Sequence, residues 1–197
     1  MKSSRVLAAI LVSLIMAACT APRAGTGPYE TPGALSREPQ RAGELAQQGA
    51  DLVGTDPERA EALLREALTA DLHHGPAHNN LGVLHYRAGR LYEAAQEFQW
   101  AGRLMPGHPE PRVSLGLVLE RAGRVDEALE SYATALEVLP GNVRAMQALA
   151  RCQLRSGRSD ERTAHFLREI ELLGESDAWR TWARRMRAAG SVQESGS

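Results

Sequence analysis

Two cysteines, six histidines and a set of regularly spaced arginines carry most of the reactive chemistry of this 197-residue chain. The thiol of Cys19 follows Leu14-Ile15-Met16 and the small pair Ala17-Ala18. Its thiol is the only strong nucleophile in that stretch. Cys152 stands between Leu149 and Leu154 on a helical pattern, which predicts buried packing rather than reactivity and no disulfide to Cys19. His73, His74, His78 and His85 cluster in sequence, but His73 and His74 fall in a turn. No cysteine or carboxylate completes a zinc-ligand spacing around them, so no metal is expected. Arg87, Arg121 and Arg155 recur every 34 residues. Guanidinium groups brought onto one surface hold carboxylates in two-point contacts. The chain has no nucleophile motif, phosphate-cradling glycine loop or paired-carboxylate signature, so it is expected to be neither an enzyme nor a cofactor binder.

The elements that carry these residues begin with an address segment. Lys2 and Arg5 precede an apolar run from Val6 to Ala18, about 13 residues against the roughly 20 that span a bilayer. This predicts a secretory signal over residues 1–18. The segment Leu14 to Cys19 resembles the bacterial lipobox, which implies cleavage before Cys19, lipidation of its thiol and a membrane anchor. Thr20 differs from the aspartate that retains such lipoproteins in the inner membrane, which implies the periplasmic face of the outer membrane. Residues 19–40, rich in Pro, Gly, Thr and Ala, read as the lipidated cysteine and a flexible tether with a reach of roughly 25 Å. The formal charge of −1 gives no basic excess for nucleic acid. Lys2 is the only lysine, so the cations of the folded part are arginines.

Beyond the tether the sequence repeats itself. Leu81-Gly82 aligns with Leu115-Gly116 and Leu149-Ala150 at steps of 34 residues. Arg87-Ala88-Gly89-Arg90 aligns with Arg121-Ala122-Gly123-Arg124 and Arg155-Ser156-Gly157-Arg158, Ala94 with Ala128, Phe98 with Tyr132, Ala101 with Ala135, and Pro106 with Pro140. Gly82, Gly116 and Ala150 give room for a second helix to pack closely on the first, and Phe98 and Tyr132 fill the gaps between helices. Gly89, Gly123 and Gly157 suit a left-handed helix end, and Pro106 and Pro140 stop the second helix. The low aromatic content of 5% agrees with helices rather than sheet.

The pattern resembles the tetratricopeptide-repeat (TPR) family over residues 75–142. The resemblance implies an all-α solenoid over 41–174, with pairs at 41–74 (degenerate), 75–108, 109–142 and 143–174 (degenerate). The first pair lacks the Leu-Gly pair, with Gln47-Gln48 in its place. The last has Arg162 and Glu169 where small residues belong, so its second helix is expected to be shifted or tilted. Residues 175–190 form an amphipathic capping helix with Trp179, Trp182 and Met186 on one face. Residues 191–197 are expected to be a disordered tail.

In that family the first helices line a concave groove that binds protein segments. The positions that commonly face it are Pro76, Asn79, Asn80, Val83 and Arg87; Glu110, Val113, Ser114, Leu117 and Arg121; and Arg144, Gln147, Ala148, Arg151 and Arg155. The arginines among them imply an acidic or carboxylate-bearing partner, and the competing reading is that Glu110, Glu120 and Asp126 neutralise them. The combination resembles envelope lipoproteins that assemble a pilus or secretion apparatus, and implies other envelope proteins as partners. An adaptor for peptidoglycan-processing enzymes and an accessory subunit of an envelope enzyme are the other readings.

Overall fold

The computed structural model describes residues 37–194, with side chains to residue 189. The leader 1–18, Cys19 and the tether as far as Ser36 lie outside the described residues, as do residues 195–197. The described chain is helical throughout: α1 Pro39–Leu52, α2 Pro57–Ala70, α3 Gly75–Arg87, α4 Leu91–Leu104, α5 Glu110–Arg121, α6 Val125–Val138, α7 Val143–Arg155, α8 Glu161–Leu173 and α9 Asp177–Glu194. No described helix is long and apolar enough to cross a membrane.

Local sequence sets the ends of these helices. Asp56, Asn142 and Asp160 cap α2, α7 and α8 by accepting a hydrogen bond from the amide three residues on. Gly89, Gly123 and Gly157 end α3, α5 and α7 at φ of 76°, 78° and 68°. After Gly89 the amide of Arg90 donates to the carbonyl of His85 and that of Gly89 to Tyr86, and the other two turns repeat the six-to-one bond. A side chain at these glycines would strain a left-handed backbone. The helices α4 and α6 stop at Leu104 and Val138, two residues before Pro106 and Pro140.

Within each pair a small residue meets a large one. A Cβ built on Gly82 would lie 2.7 Å from the ring of Phe98, and one on Gly116 would lie 2.4 Å from that of Tyr132. Phe98 and Tyr132 are buried, as are Ala94, Ala101, Ala128 and Ala135 around them. The first pair makes the same contact with a different residue. Gly49, not the Gln47-Gln48 positions, lies against Leu64, with a Cβ distance of 2.8 Å. Thr55 occupies the place of the turn glycines, the left-handed turn is not made, and α1 slips by one residue relative to α2.

In the last pair Arg162 is exposed over the ring of Phe166, and the buried face of α8 is formed by Thr163, Phe166, Leu167 and Ile170. The helix has turned about its axis so that its two charged residues need not be buried. Ala183, Trp179, Trp182 and Met186 of α9 close the core at this end, with Trp179 and Trp182 edge to face at 5.2 Å. Glu171 of α8 accepts from Arg184 and Arg187 across the α8–α9 contact. The helix α9 continues to Glu194, four residues past the limit at 190 read from the sequence.

Consecutive first helices pack on one another (α1 on α3, α3 on α5, α5 on α7), whereas no second helix meets the next second helix among the described residues. The stack is therefore tighter along α1, α3, α5 and α7, and these helices line its concave side.

Candidate protein-binding groove

The concave surface is built from α3, α5 and α7. Asn79, Asn80 and Val83 on α3 are half-buried, as are Ser114 and Leu117 on α5. Val113 and Gln147, expected to face a ligand, are instead buried at the contacts between first helices, 6% and 5% exposed, and so is Ala148. Their position in the repeat points along the stack rather than into the groove. Asn79 Oδ1, Gln147 Nε2 and Arg151 Nε are buried without a hydrogen-bond partner. A cavity of about 20 Å³ beside Ser114, Asn142 and Arg144 is of the size that holds one water.

The arginine ladder is present by spacing, and each rung reaches back one repeat. Arg87 Nη1 donates to the carbonyl of Val53 at 3.0 Å, Arg121 Nη1 to that of Tyr86 at 3.1 Å, and Arg155 Nη1 to Glu120 Oε1 at 2.8 Å. Arg121 also lies over the Tyr86 ring, 5.2 Å from its centroid. The acceptors, two backbone carbonyls and the Glu120 carboxylate, sit at the C-terminal ends of α1, α3 and α5, where the helix dipole favours a cation. The ladder thus latches each helix pair to the one before it. The guanidinium groups stay exposed at their outer edges.

Glu120 organises the C-terminal half of the groove. Its side chain, 13% exposed, accepts from Arg155, from the buried Tyr132 hydroxyl at 3.1 Å and, at 3.5 Å, from Arg151. Burial and the Glu120 carboxylate push the Tyr132 phenol far above its ordinary range. Burial likewise pushes the Cys152 thiol up, so it is poorly nucleophilic. Of the expected neutralising carboxylates, Glu120 does pair with the arginines, Asp126 pairs with Arg158 outside the ladder, and Glu110 approaches only His108. Arg144 stands exposed at the start of α7 and has no ion-pair partner among the described residues.

The histidines serve the scaffold. His74 Nδ1 accepts from the amide of Ala77, capping α3, and His85 Nδ1 accepts from Arg90 Nε at 2.9 Å. Burial lowers the pKa of both. His78 is the opposite case: Nδ1 lies 2.6 Å from Glu97 Oε2 and Nε2 2.9 Å from the Leu72 carbonyl. A carboxylate and a carbonyl both accept, so the two partners favour the imidazolium, in which both ring nitrogens donate. Burial works against that charge, but the Glu97 carboxylate and the Leu72 carbonyl outweigh it and raise the pKa. A histidine with a raised folded-state pKa contributes its full stability below its ordinary pKa and loses it as pH rises through the folded value. The melting temperature should therefore fall by roughly 2–4 °C between pH 6 and mildly alkaline pH, as expected for a loss of about 1 kcal/mol. In His78→Gln the fall should disappear, leaving the opposite, rising contribution of His74 and His85, whose lowered pKa values favour the fold as pH rises towards the ordinary histidine value; an unchanged downward slope would assign the fall to another group.

Two tetratricopeptide-repeat family models match the chain, over residues 50–109 and 119–161, together just over half its length. This chain is a tetratricopeptide-repeat protein. Its TPR array superposes on that of a crystal structure of MamA at 24% identity and a TM-score of 0.60, covering 68% of this chain and 79% of that one. It is also similar to MamA 41-end from Desulfovibrio magneticus RS-1, at 20% identity and a TM-score of 0.59, with coverages of 69% and 77%. The first TPR of Spaghetti (RPAP3), bound to the HSP90 peptide SRMEEVD, matches at 18% identity and a TM-score of 0.59, over 62% of this chain and 98% of that one. At these identities the likeness is one of fold. No curated protein matches the chain in sequence. TPR arrays are protein-interaction scaffolds, and the concave groove is their usual docking surface.

Proposed function

We propose that this TPR protein is a lipid-anchored scaffold of the bacterial cell envelope, tethered through Cys19 to the periplasmic face of the outer membrane, where it helps assemble a pilus or secretion apparatus. What carries the anchor is the run from Val6 to Ala18 ending on Cys19. The assembly role rests on the combination of a small lipidated tether with an interaction array. Labelled palmitate should enter the wild type and not Cys19→Ser; equal labelling of both sinks the anchor. Deletion of the gene should then lose surface pili or secreted cargo, and a wall-shape defect with normal pili would favour the peptidoglycan adaptor instead.

The groove's partner is an acidic protein segment, seated towards α7. Arg144 makes no ion pair among the described residues, although Glu110 shares its small cavity, and Arg151 has only a long contact to Glu120, whereas the ladder arginines are committed to the preceding repeat. The SRMEEVD peptide of the Spaghetti structure is itself acidic, as this reading requires. For the segment captured by crosslinking through Leu117, Arg144→Ala/Arg151→Ala should weaken binding by about tenfold, since two exposed pairs contribute about 1 kcal/mol each at most. The salt dependence should flatten as well. Unchanged affinity at low and moderate salt would move the site to the apolar positions Val83 and Leu117.

A further inference from the structure

The 34-residue register places Leu68, Leu136 and Ile170 at one position of their pairs, on the second helix where it meets the next element. Leu136 and Ile170 are buried, at 3% and 0% exposure, and Leu68 is partly buried in the core. In the second pair the same position is Gly102. A Cβ built there has one neighbour within 4 Å, Pro111 Cβ at 4.0 Å. No other side chain moves in to replace the missing one, and an open cleft of about 370 Å³ remains between α4 and α5. Its floor is apolar, from Phe98, Pro106 and Leu115. Its lining residues on α5, Arg112 and Leu115, are not those of the concave face, so this cleft is separate from the groove.

The rim is basic. Arg103 and Arg112 line the cleft with Gln99, and no carboxylate does. Arg112 Nη1 donates to the carbonyls of Pro106 and His108 at 3.2 Å, which fixes the side chain without neutralising it. The Arg103 guanidinium lies 4.4 Å from the centre of the Trp100 ring, and Trp100 is 44% exposed, adding apolar surface beside the opening. A helical glycine also costs stability, because it frees the unfolded backbone and buries nothing. The array thus carries, in this one repeat, a less stable residue whose consequence is an apolar hole between two unpaired cations.

We propose that this cleft is a second docking site, which takes one bulky apolar side chain of a protein segment that carries an aspartate or glutamate next to it. The apolar side chain fills the volume that Leu136 fills in its own pair, and the acid meets Arg103 and Arg112 in two-point contacts. The groove and the cleft face different ways, so one array can hold two partners.

Gly102→Leu restores the residue type of the sister repeats and fills the site. A phage-displayed library of random peptides, selected on the detergent-solubilised full-length protein, supplies the probe. Enriched peptides are expected to pair a large apolar residue with an adjacent acid. Their binding should fall roughly ten- to hundredfold in Gly102→Leu, the worth of one buried apolar side chain. It should fall also in Arg103→Glu and be unaffected by Leu117→Ala in the groove. The melting temperature of Gly102→Leu should match or exceed that of the wild type; if this variant fails to fold, the exposed Arg103→Glu decides. Peptides that bind Gly102→Leu or Arg103→Glu as well as the wild type, peptides without an acid, or no enrichment at all would overturn the second site.

Discussion

Replacing Gly116 by leucine should destabilise the array by about 3 kcal/mol or more, at the upper end of overpacking costs. A Cβ at this position falls 2.4, 2.6 and 2.9 Å from three atoms of the Tyr132 ring. The ring is fully buried and its hydroxyl is tied to Glu120, so it cannot swing away as a flexible side chain would. Even Gly116→Ala should lose about 1–3 kcal/mol, although alanine is the better helix former by up to about 1 kcal/mol. The clash, not the backbone, decides the sign. Shortening residue 132 removes the ring atoms that the new Cβ strikes. Tyr132→Leu should therefore cost much less in the Gly116→Ala background than alone. Urea unfolding of the four proteins of this double-mutant cycle measures the coupling. Additive costs, or an unchanged midpoint for Gly116→Leu, would reject the packing register.

Much of this architecture was legible because it depends on residue size at a fixed period. Gly82 against Phe98, Gly116 against Tyr132, and the left-handed turns at Gly89, Gly123 and Gly157 each follow from one residue type in one place. What was not legible depends on turns and on the reach of long side chains. Gly49 does the work expected at Gln48, because the α1–α2 turn lacks the glycine that sets the register elsewhere. The spacing of Arg87, Arg121 and Arg155 predicted a common surface. It could not show that two of the three bond backbone carbonyls of the preceding helix, since backbone acceptors leave no trace in a sequence. The upward pKa shift of His78 has the same origin, with one of its two partners the Leu72 carbonyl. Gly102 interrupts the series Leu68, Leu136 and Ile170, but the volume it opens depends on Pro111 and Phe98 holding their positions.

Glu120 links the stability of the array to the charge of its groove, and its replacement should move the two in opposite directions. In Glu120→Ala the buried Tyr132 hydroxyl loses its acceptor, a penalty of about 1–3 kcal/mol. The lost pairs to Arg151 and Arg155 add little, because Arg155 is 70% and Arg151 35% exposed and water screens both. Glu120→Gln keeps an oxygen for the hydroxyl and should cost about 1 kcal/mol, the net worth of one ordinary hydrogen bond. Both replacements remove the carboxylate that neutralises the α7 arginines. An acidic segment in the groove should then bind more tightly, by up to about tenfold, and with a steeper salt dependence. Glu120→Gln is the cleaner variant, because its modest stability loss leaves the groove folded while the charge change is complete. Denaturation curves and binding isotherms at two salt concentrations on the same preparations measure both effects. Weaker binding in Glu120→Gln would show that the carboxylate holds Arg151 and Arg155 in their binding pose, and that fixing these arginines matters more than freeing their charge.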